Sequence, residues 1–253
     1  MQSEAAEVSS KIYGGRYAKK NTYRFAVFIG IPNTTHTCTG ALIERKWVLT
    51  NAHCTRRGAT HVFLGYYDRD RPIGTEFRIP IAESMRHPNY TVLNNDIALI
   101  RLSYPADLSE SNLGKVAVVQ SEAFMNKALA NTKKCRLLGW GVTRGRGVWK
   151  STSRLQYMDM KFVDNVEANA RGYYYMDDWE GTMNIEAKEY DECGYGGACT
   201  GDDGGPVICK KGKKWVVVGM FNYWLTYDGC YFGIKSAVNV FLYKDWISSI
   251  TGK

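Results

Sequence analysis

The stretch CTGDDGGP, residues 199–206, decides the fold. It places two adjacent carboxylates, Asp202 and Asp203, among three glycines and a proline. Val207, Ile208 and Cys209 follow it. Taken alone, this stretch does not identify a function, and its meaning depends on what precedes it along the chain.

Two further polar residues stand next to predicted strands earlier in the sequence. His53 lies in the stretch TNAHC, directly after a strand that ends in Trp-Val-Leu. Its neighbour Cys54 and the earlier Cys38 can anchor this turn through a disulfide. Asp96 stands at the start of DIALIRL, residues 96–102, which predicts a half-buried strand. A single histidine is usually structural, so the order of the pieces carries the argument.

In the order His53, Asp96 and GDDGGP at 201–206, these pieces resemble the trypsin/chymotrypsin family of serine proteases. The stretch KIYGG, which starts at Lys11, resembles that family's activation site. The resemblance covers nearly the whole chain from Ile12 onward. It implies an all-β fold of two six-stranded antiparallel β-barrels with a C-terminal α-helix, and an active site in the cleft between the barrels.

The resemblance also divides the chain. We interpret residues 1–11 as a pro-segment and residues 12–253 as the protease-like domain. The two barrel halves are expected over residues 12–115 and 116–238. Many short strands separated by turn residues independently favour a barrel or a sandwich.

Three segments depart from the strand pattern. Helices are predicted at 164–173 and, from apolar residues at helical spacing, at 239–250. The acidic and aromatic residues 174–192 predict a long surface loop. No segment approaches the roughly 18 consecutive apolar residues of a membrane-spanning helix.

The resemblance assigns roles to three residues of the site. In the working enzymes a serine hydroxyl attacks the scissile carbonyl, a histidine takes its proton, and an aspartate orients the histidine. His53 and Asp96 match the last two roles, and Asp203 stands where the serine is expected. Loss of a triad serine costs on the order of 10⁶ in kcat in a well-studied protease. We therefore expect an inactive homologue with a static Asp203–His53–Asp96 ion-pair network and an oxyanion-hole remnant at Gly201 and Asp203.

The activation machinery is expected to persist. By the resemblance, cleavage after Lys11 frees the amine of Ile12, and Asp202 matches the carboxylate that pairs with that amine. A metal at Asp202, Asp203 and His53 is disfavoured because neighbouring side chains usually diverge. We predict no metal and no cofactor.

The specificity pocket is expected to be occluded. The family's Ser-Trp-Gly at the substrate-binding strand is replaced by Asn222, Tyr223 and Trp224. Trp224 would fill the pocket entrance, unless its side chain swings outward and leaves the pocket open. Gly197, at the pocket base, offers no charge for a basic substrate side chain.

Seven cysteines indicate an oxidising compartment and hence a secreted, extracellular protein. By position, the resemblance pairs Cys38 with Cys54, Cys135 with Cys209 and Cys199 with Cys230. Cys193 matches a family cysteine whose usual partner is missing, so it is the candidate for a free thiol or for an intermolecular disulfide.

The formal net charge is +8, and the basic residues gather in three clusters, at 133–136, 144–154 and 210–214. They are either solvated loop tips or a surface for anionic partners such as sulfated glycans. Nucleic acid is not expected, because no nucleic-acid-binding motif accompanies the charge.

The leading functional hypothesis is a non-catalytic homologue that acts by protein binding. Its partners would include host defence or complement proteins, as for the inactivated protease paralogues of parasitic mites. The alternatives are a glycan- or heparin-binding protein and a hydrolase that uses an Asp–His pair to activate water.

Overall fold

The computed structural model describes residues 15–32, 38–56, 58–72, 74, 76–92, 94–131, 133–145, 148–173, 181–188, 197–198, 201–222 and 233–253. The strands are β1 (Arg16–Tyr17), β2 (Ala26–Gly30), β3 (Cys38–Glu44), β4 (Trp47–Thr50), β5 (His61–Leu64), β6 (Phe77–Arg86), β7 (Ala98–Leu102), β8 (Ala117–Val118), β9 (Cys135–Gly139), β10 (Val142–Gly145), β11 (Val148–Ser151), β12 (Gln156–Val163), β13 (Thr182–Ala187), β14 (Pro206–Lys211), β15 (Lys214–Asn222) and β16 (Lys235–Asn239). The helices are α1 (Glu122–Leu129), α2 (Asn165–Ala170) and α3 (Lys244–Thr251), with 3₁₀ turns at His53–Arg56 and Val240–Tyr243.

The N-terminal barrel closes through six antiparallel strands in the order β2–β3–β4–β7–β6–β5. Strand β2 is buried along its whole length, as its apolar sequence AVFIG requires. Strand β4 pairs with β7 so that Thr50 lies opposite Ala98. The chain leaves β4 at Thr50 and enters β7 at Ala98, so the segments that carry His53 and Asp96 meet at one end of this barrel.

The C-terminal barrel closes through the order β9–β12–β13–β16–β15–β14, since β14 returns to β9. All pairings around this ring are antiparallel. Two short strands attach outside the ring, β1 along β12 and β8 parallel to β15. The predicted fold of two six-stranded antiparallel barrels with a C-terminal helix is confirmed.

The two barrels share one hydrophobic core cluster. Phe28 of the first barrel meets Trp140 of the second edge-on, with ring centroids 5.7 Å apart. The backbone amide of Thr39 in β3 donates to the carbonyl of Asp203, with an N···O distance of 2.7 Å. The segment around Asp203 is therefore held directly against the first barrel.

The predicted surface loop at 174–192 is wrong for residues 182–187, which form strand β13 between β12 and β16. Five of its six residues are buried, including Glu186. The carboxylate of Glu186 pairs with Arg171 at 2.6 Å and with Lys161 at 2.9 Å. Because these cations compensate its charge, an acidic residue is tolerated inside the sheet.

The helices are shorter than predicted. Helix α2 is capped at its start by the carboxylate of Asp164, which accepts from the amide of Glu167. The C-terminal segment begins with the 3₁₀ turn and becomes α-helical only at Lys244. Helix α1, capped by Ser121, was not predicted. Among the described residues, no helix has the length and apolar character needed to span a bilayer.

Candidate active site

His53 opens the 3₁₀ turn that follows β4. The structure joins Cys54 to Cys38 of β3 in a disulfide, with a Cα–Cα distance of 5.9 Å. This bond fixes the turn to the barrel wall next to the imidazole. The His53 residue is 9% exposed, so its ring reaches the surface only at one edge.

Asp96 binds His53 through both carboxylate oxygens. Oδ1 accepts from the backbone amide of His53 at 2.8 Å, and Oδ2 lies 2.6 Å from its Nδ1. Asp96 is 2% exposed, so these bonds are shielded from water. The imidazole is thereby held at Nδ1, which leaves Nε2 as the atom that can exchange protons with a ligand.

Two asparagines complete the support of Asp96. The amide of Asn222, at the end of β15, donates to Oδ2 at 2.8 Å, and the amide of Asn51 donates to the Asp96 carbonyl at 2.7 Å. Burial raises the pKa of Tyr90, and the negative charge of Asp96 raises it further. The sequence predicts a place for Asn222 in the specificity pocket and does not predict that its side chain holds Asp96.

Asp203 lies against the other side of the imidazole. Its Oδ1 is 3.7 Å from Nε2 of His53, which is within ion-pair range and longer than a hydrogen bond. Asp203 is fully buried. The structure therefore brings together the three predicted residues, His53, Asp96 and Asp203, in one contiguous cluster.

The turn around Asp203 is held by backbone and hydroxyl contacts. Gly201 and Gly204 adopt φ values of 94° and 72°, which favour glycine. The hydroxyl of Thr39 donates to the Gly201 carbonyl at 3.1 Å. Residue 204 has no room for a side chain, because a Cβ there would collide with Thr50 and the Thr39 carbonyl. Sequence reasoning missed Thr39 and Thr50, since their role depends on the contact between barrels.

Asp202 points away from His53 and into the second barrel. It is fully buried, and its Oδ1 accepts from the amide of Gly141 at 2.8 Å. A Cβ at Gly139 or Gly141 would collide with this carboxylate, which explains the Gly-Trp-Gly sequence there. The predicted partners in activation, Lys11 and Ile12, lie outside the described residues.

The remaining predicted residues are only partly described. Gly197 is buried, whereas Tyr223 and Trp224 lie outside the described residues. A second disulfide joins Cys135 to Cys209. Cys193, Cys199 and Cys230 also lie outside the described residues.

One group of potential metal ligands occurs within the described part of the chain, namely Cys38, His53 and Cys54. Both sulfurs are already bonded to each other in the disulfide. A metal would need the thiolates that this bond consumes, so we assign no metal to this group.

The same arrangement of His53, Asp96 and a glycine-rich turn between two barrels is a family property. The family model described as Trypsin matches residues 12–247. The chain belongs to the trypsin family.

Curated relatives of this trypsin-family chain match it almost end to end. Chymotrypsin-like elastase family member 1 of the cat, Felis catus, is 29% identical over 254 residues, covering 96% of this chain and 91% of that protein. The rat protein of the same name, from Rattus norvegicus, gives the same values. The dog protein, from Canis lupus familiaris, is 27% identical and covers 98% of this chain and 95% of its own length.

The relatives contradict the prediction that the protein is not an enzyme, and that prediction is wrong. They are named as elastases, which form a catalytic family, and they match more than nine-tenths of the chain. The His53–Asp96 pair is also intact. The prediction rested first on Asp203 and further on the substitutions at Gly197, Asn222, Tyr223 and Trp224, whereas the other groups around the imidazole are in place.

Proposed function

We propose that this trypsin-family protein recognises polypeptide segments where the two barrels meet, around His53 and Asp203, and acts on proteins outside the cell. The observation that carries the proposal is the buried pair of His53 and Asp96, joined at 2.6 Å and braced by Asn222. A fold that positions an imidazole so firmly, with Nε2 left at the cleft, is suited to meet a ligand there.

The first candidate function is the binding of proteins at this site. The support is the rigid scaffold of two barrels, from which surface loops present recognition residues. The proposed partner class is host defence proteins, including complement proteins, by analogy with the protease paralogues of parasitic mites. The two described disulfides support an extracellular setting, where such bonds persist.

Hydrolysis of polypeptides is a second candidate, favoured by the 3.7 Å between Nε2 of His53 and Oδ1 of Asp203. A water molecule bound beside these groups would give its proton to Nε2. The resulting hydroxide would add to the amide carbonyl, and the amine would leave with the proton from His53. Asp96 would stabilise the imidazolium formed in between.

The test of the binding site uses the His53 ring as a reporter. We expect extended peptides from extracellular proteins to shift the NMR signals of the His53 imidazole, assigned with His53→Gln. His61 lies on β5, in the same barrel, and serves as the internal control. If peptides that bind the protein leave the His53 signals unmoved, the proposed site is wrong.

The same peptides separate the two candidates. Cleavage products are measured by mass spectrometry for the wild type, His53→Ala and Asp203→Ser. Cleavage by the wild type that disappears in His53→Ala supports hydrolysis at this site. Peptides that are bound but not cleaved by the wild type refute hydrolysis as the second candidate, and cleavage that survives in His53→Ala refutes the water mechanism.

A further inference from the structure

Two lysine-rich segments that are far apart in the sequence form one surface on the second barrel. Lys133 and Lys134 precede β9, whereas Lys210 and Lys211 end β14. The backbone amide of Lys210 donates to the carbonyl of Lys134 at 2.9 Å. The disulfide between Cys135 and Cys209 joins the adjacent positions.

A tight turn extends this surface. Lys211 pairs with Lys214 across the β14–β15 hairpin, and Gly212 in the turn adopts a φ of 62°. Lys213 lies beside this glycine at the tip. The hairpin therefore presents basic residues on both strands and at its tip.

Several of the lysine ammonium groups lie over aromatic rings. The Nζ atoms of Lys133 and Lys211 lie 5.8 and 5.7 Å from the ring centroid of Phe124 in α1. Nζ of Lys210 lies 4.3 Å from the ring of Trp215. Cation–π contacts at these distances are attractive, so one ammonium group from each segment lies over the Phe124 ring.

We define the lysine surface as Lys133, Lys134, Lys210, Lys211, Lys213 and Lys214. No carboxylate within the described residues forms an ion pair with any of these lysines. Two other basic residues of the sequence clusters pair with carboxylates, Arg136 with Asp159 at 2.8 Å and Arg154 with Asp68 at 3.3 Å. The lysine surface therefore carries positive charge that no described carboxylate offsets through an ion pair.

We propose that the lysine surface binds linear sulfated glycans. A linear polyanion carries condensed cations along its chain, and clustered lysines that neutralise its charges release these cations, which raises the affinity. Lysine is a compact point charge that suits sulfate groups at variable spacing. The proposal goes beyond the function proposed above and uses a different face of the protein.

The make-up of the surface favours a glycan over other polyanions. A protein partner usually anchors an aromatic or arginine side chain in a desolvated pocket, whereas the hairpin presents Lys211, Lys213 and Lys214 as exposed side chains. Single-stranded nucleic acid stacks its bases on exposed aromatic faces, and Phe124 is only 7% exposed. A hydrophilic chain with repeated sulfates matches lysines without a pocket.

The lysine surface is separate from the candidate active site. Strand β14 starts at Pro206, next to the Asp203 turn, and reaches the hairpin at Lys211. At about 3.4 Å per residue in an antiparallel strand, these ends are about 17 Å apart. A glycan bound at the hairpin therefore leaves the region around His53 open.

The test compares two variants of equal charge. Lys211→Gln/Lys213→Gln/Lys214→Gln lowers the formal net charge from +8 by three, to +5. The control Lys19→Gln/Lys20→Gln/Lys46→Gln makes the same change at exposed lysines outside the lysine surface. Heparin affinity is measured against salt concentration, and thermal melts check that both variants fold.

We expect the hairpin variant to bind heparin at least about tenfold more weakly at 0.15 M salt, with a salt slope lowered by roughly two to three. The control should keep the wild-type slope. Lys133→Gln/Lys134→Gln should also weaken binding, because the two segments act together. Equal losses in the hairpin variant and the control would overturn the proposal, as would equally tight binding to desulfated heparin or to polyglutamate.

Discussion

Asp96→Ala should destabilise the protein strongly, because Asp96 is the acceptor for three buried donors. These are the backbone amide and Nδ1 of His53 and the side-chain amide of Asn222, at 2.8, 2.6 and 2.8 Å. Leaving a buried donor unsatisfied costs about 1–3 kcal/mol. With some water entering the space, the three together predict a loss of about 3–6 kcal/mol in the free energy of unfolding.

Urea unfolding under non-reducing conditions measures this loss. With a slope of about 3 kcal/mol/M for a protein of this size, the midpoint should fall by about 1–2 M. Asp107→Ala is the matched control, because Asp107 is exposed and accepts only from neighbouring Ser109. Its midpoint should stay close to that of the wild type. If Asp96→Ala and Asp107→Ala unfold at the same urea concentration, the reasoning about buried donors fails.

Two further predictions concern packing and pH. Gly141→Ala should cost about 1–3 kcal/mol by overpacking, because its Cβ would lie 2.3 Å from Oδ2 of Asp202. Gly114→Ala should cost less in the same urea assay, because its Cβ would come no closer than 3.3 Å to any atom, the Cβ of Arg24. Burial lowers the pKa of His87 from its ordinary 6.5, so the unfolded chain takes up this proton at a higher pH than the folded chain. The contribution of His87 to stability is therefore fully present above pH 6.5 and falls as the pH drops below it. His87→Gln should flatten the dependence of unfolding free energy on pH below about 6.5, and an unchanged slope would contradict the prediction.

The overall fold could be predicted because its decisive residues are local in sequence. His53 follows a strand end, Asp96 precedes a strand, and the glycines around Asp203 mark a turn, so short motifs fix where each group stands. The barrel topology then follows from the family resemblance. The same motifs predicted that His53, Asp96 and Asp203 would meet.

Contacts between distant segments could not be predicted. Asn222 holds Asp96 from 126 residues away, and no local pattern encodes that pairing. Strand β13 was mistaken for a surface loop because Glu186 is acidic, and its partners Arg171 and Lys161 lie on other elements. The prediction of inactivity weighed a few substituted side chains, Asp203 first among them, more heavily than the family to which the whole chain belongs.

The hydrogen bond from Thr39 to the turn around Asp203 has a consequence for folding. The hydroxyl of Thr39 and the carbonyl of Gly201 are separated by 162 residues, so this contact closes a very long loop. His53 and Asp96 both belong to the first barrel and can find each other before the second barrel exists. The turn at Asp203 takes its place only when the two barrels dock. Because long-range contacts of this kind form slowly, we expect the imidazole–carboxylate pair to form early in folding and the complete cluster to form late.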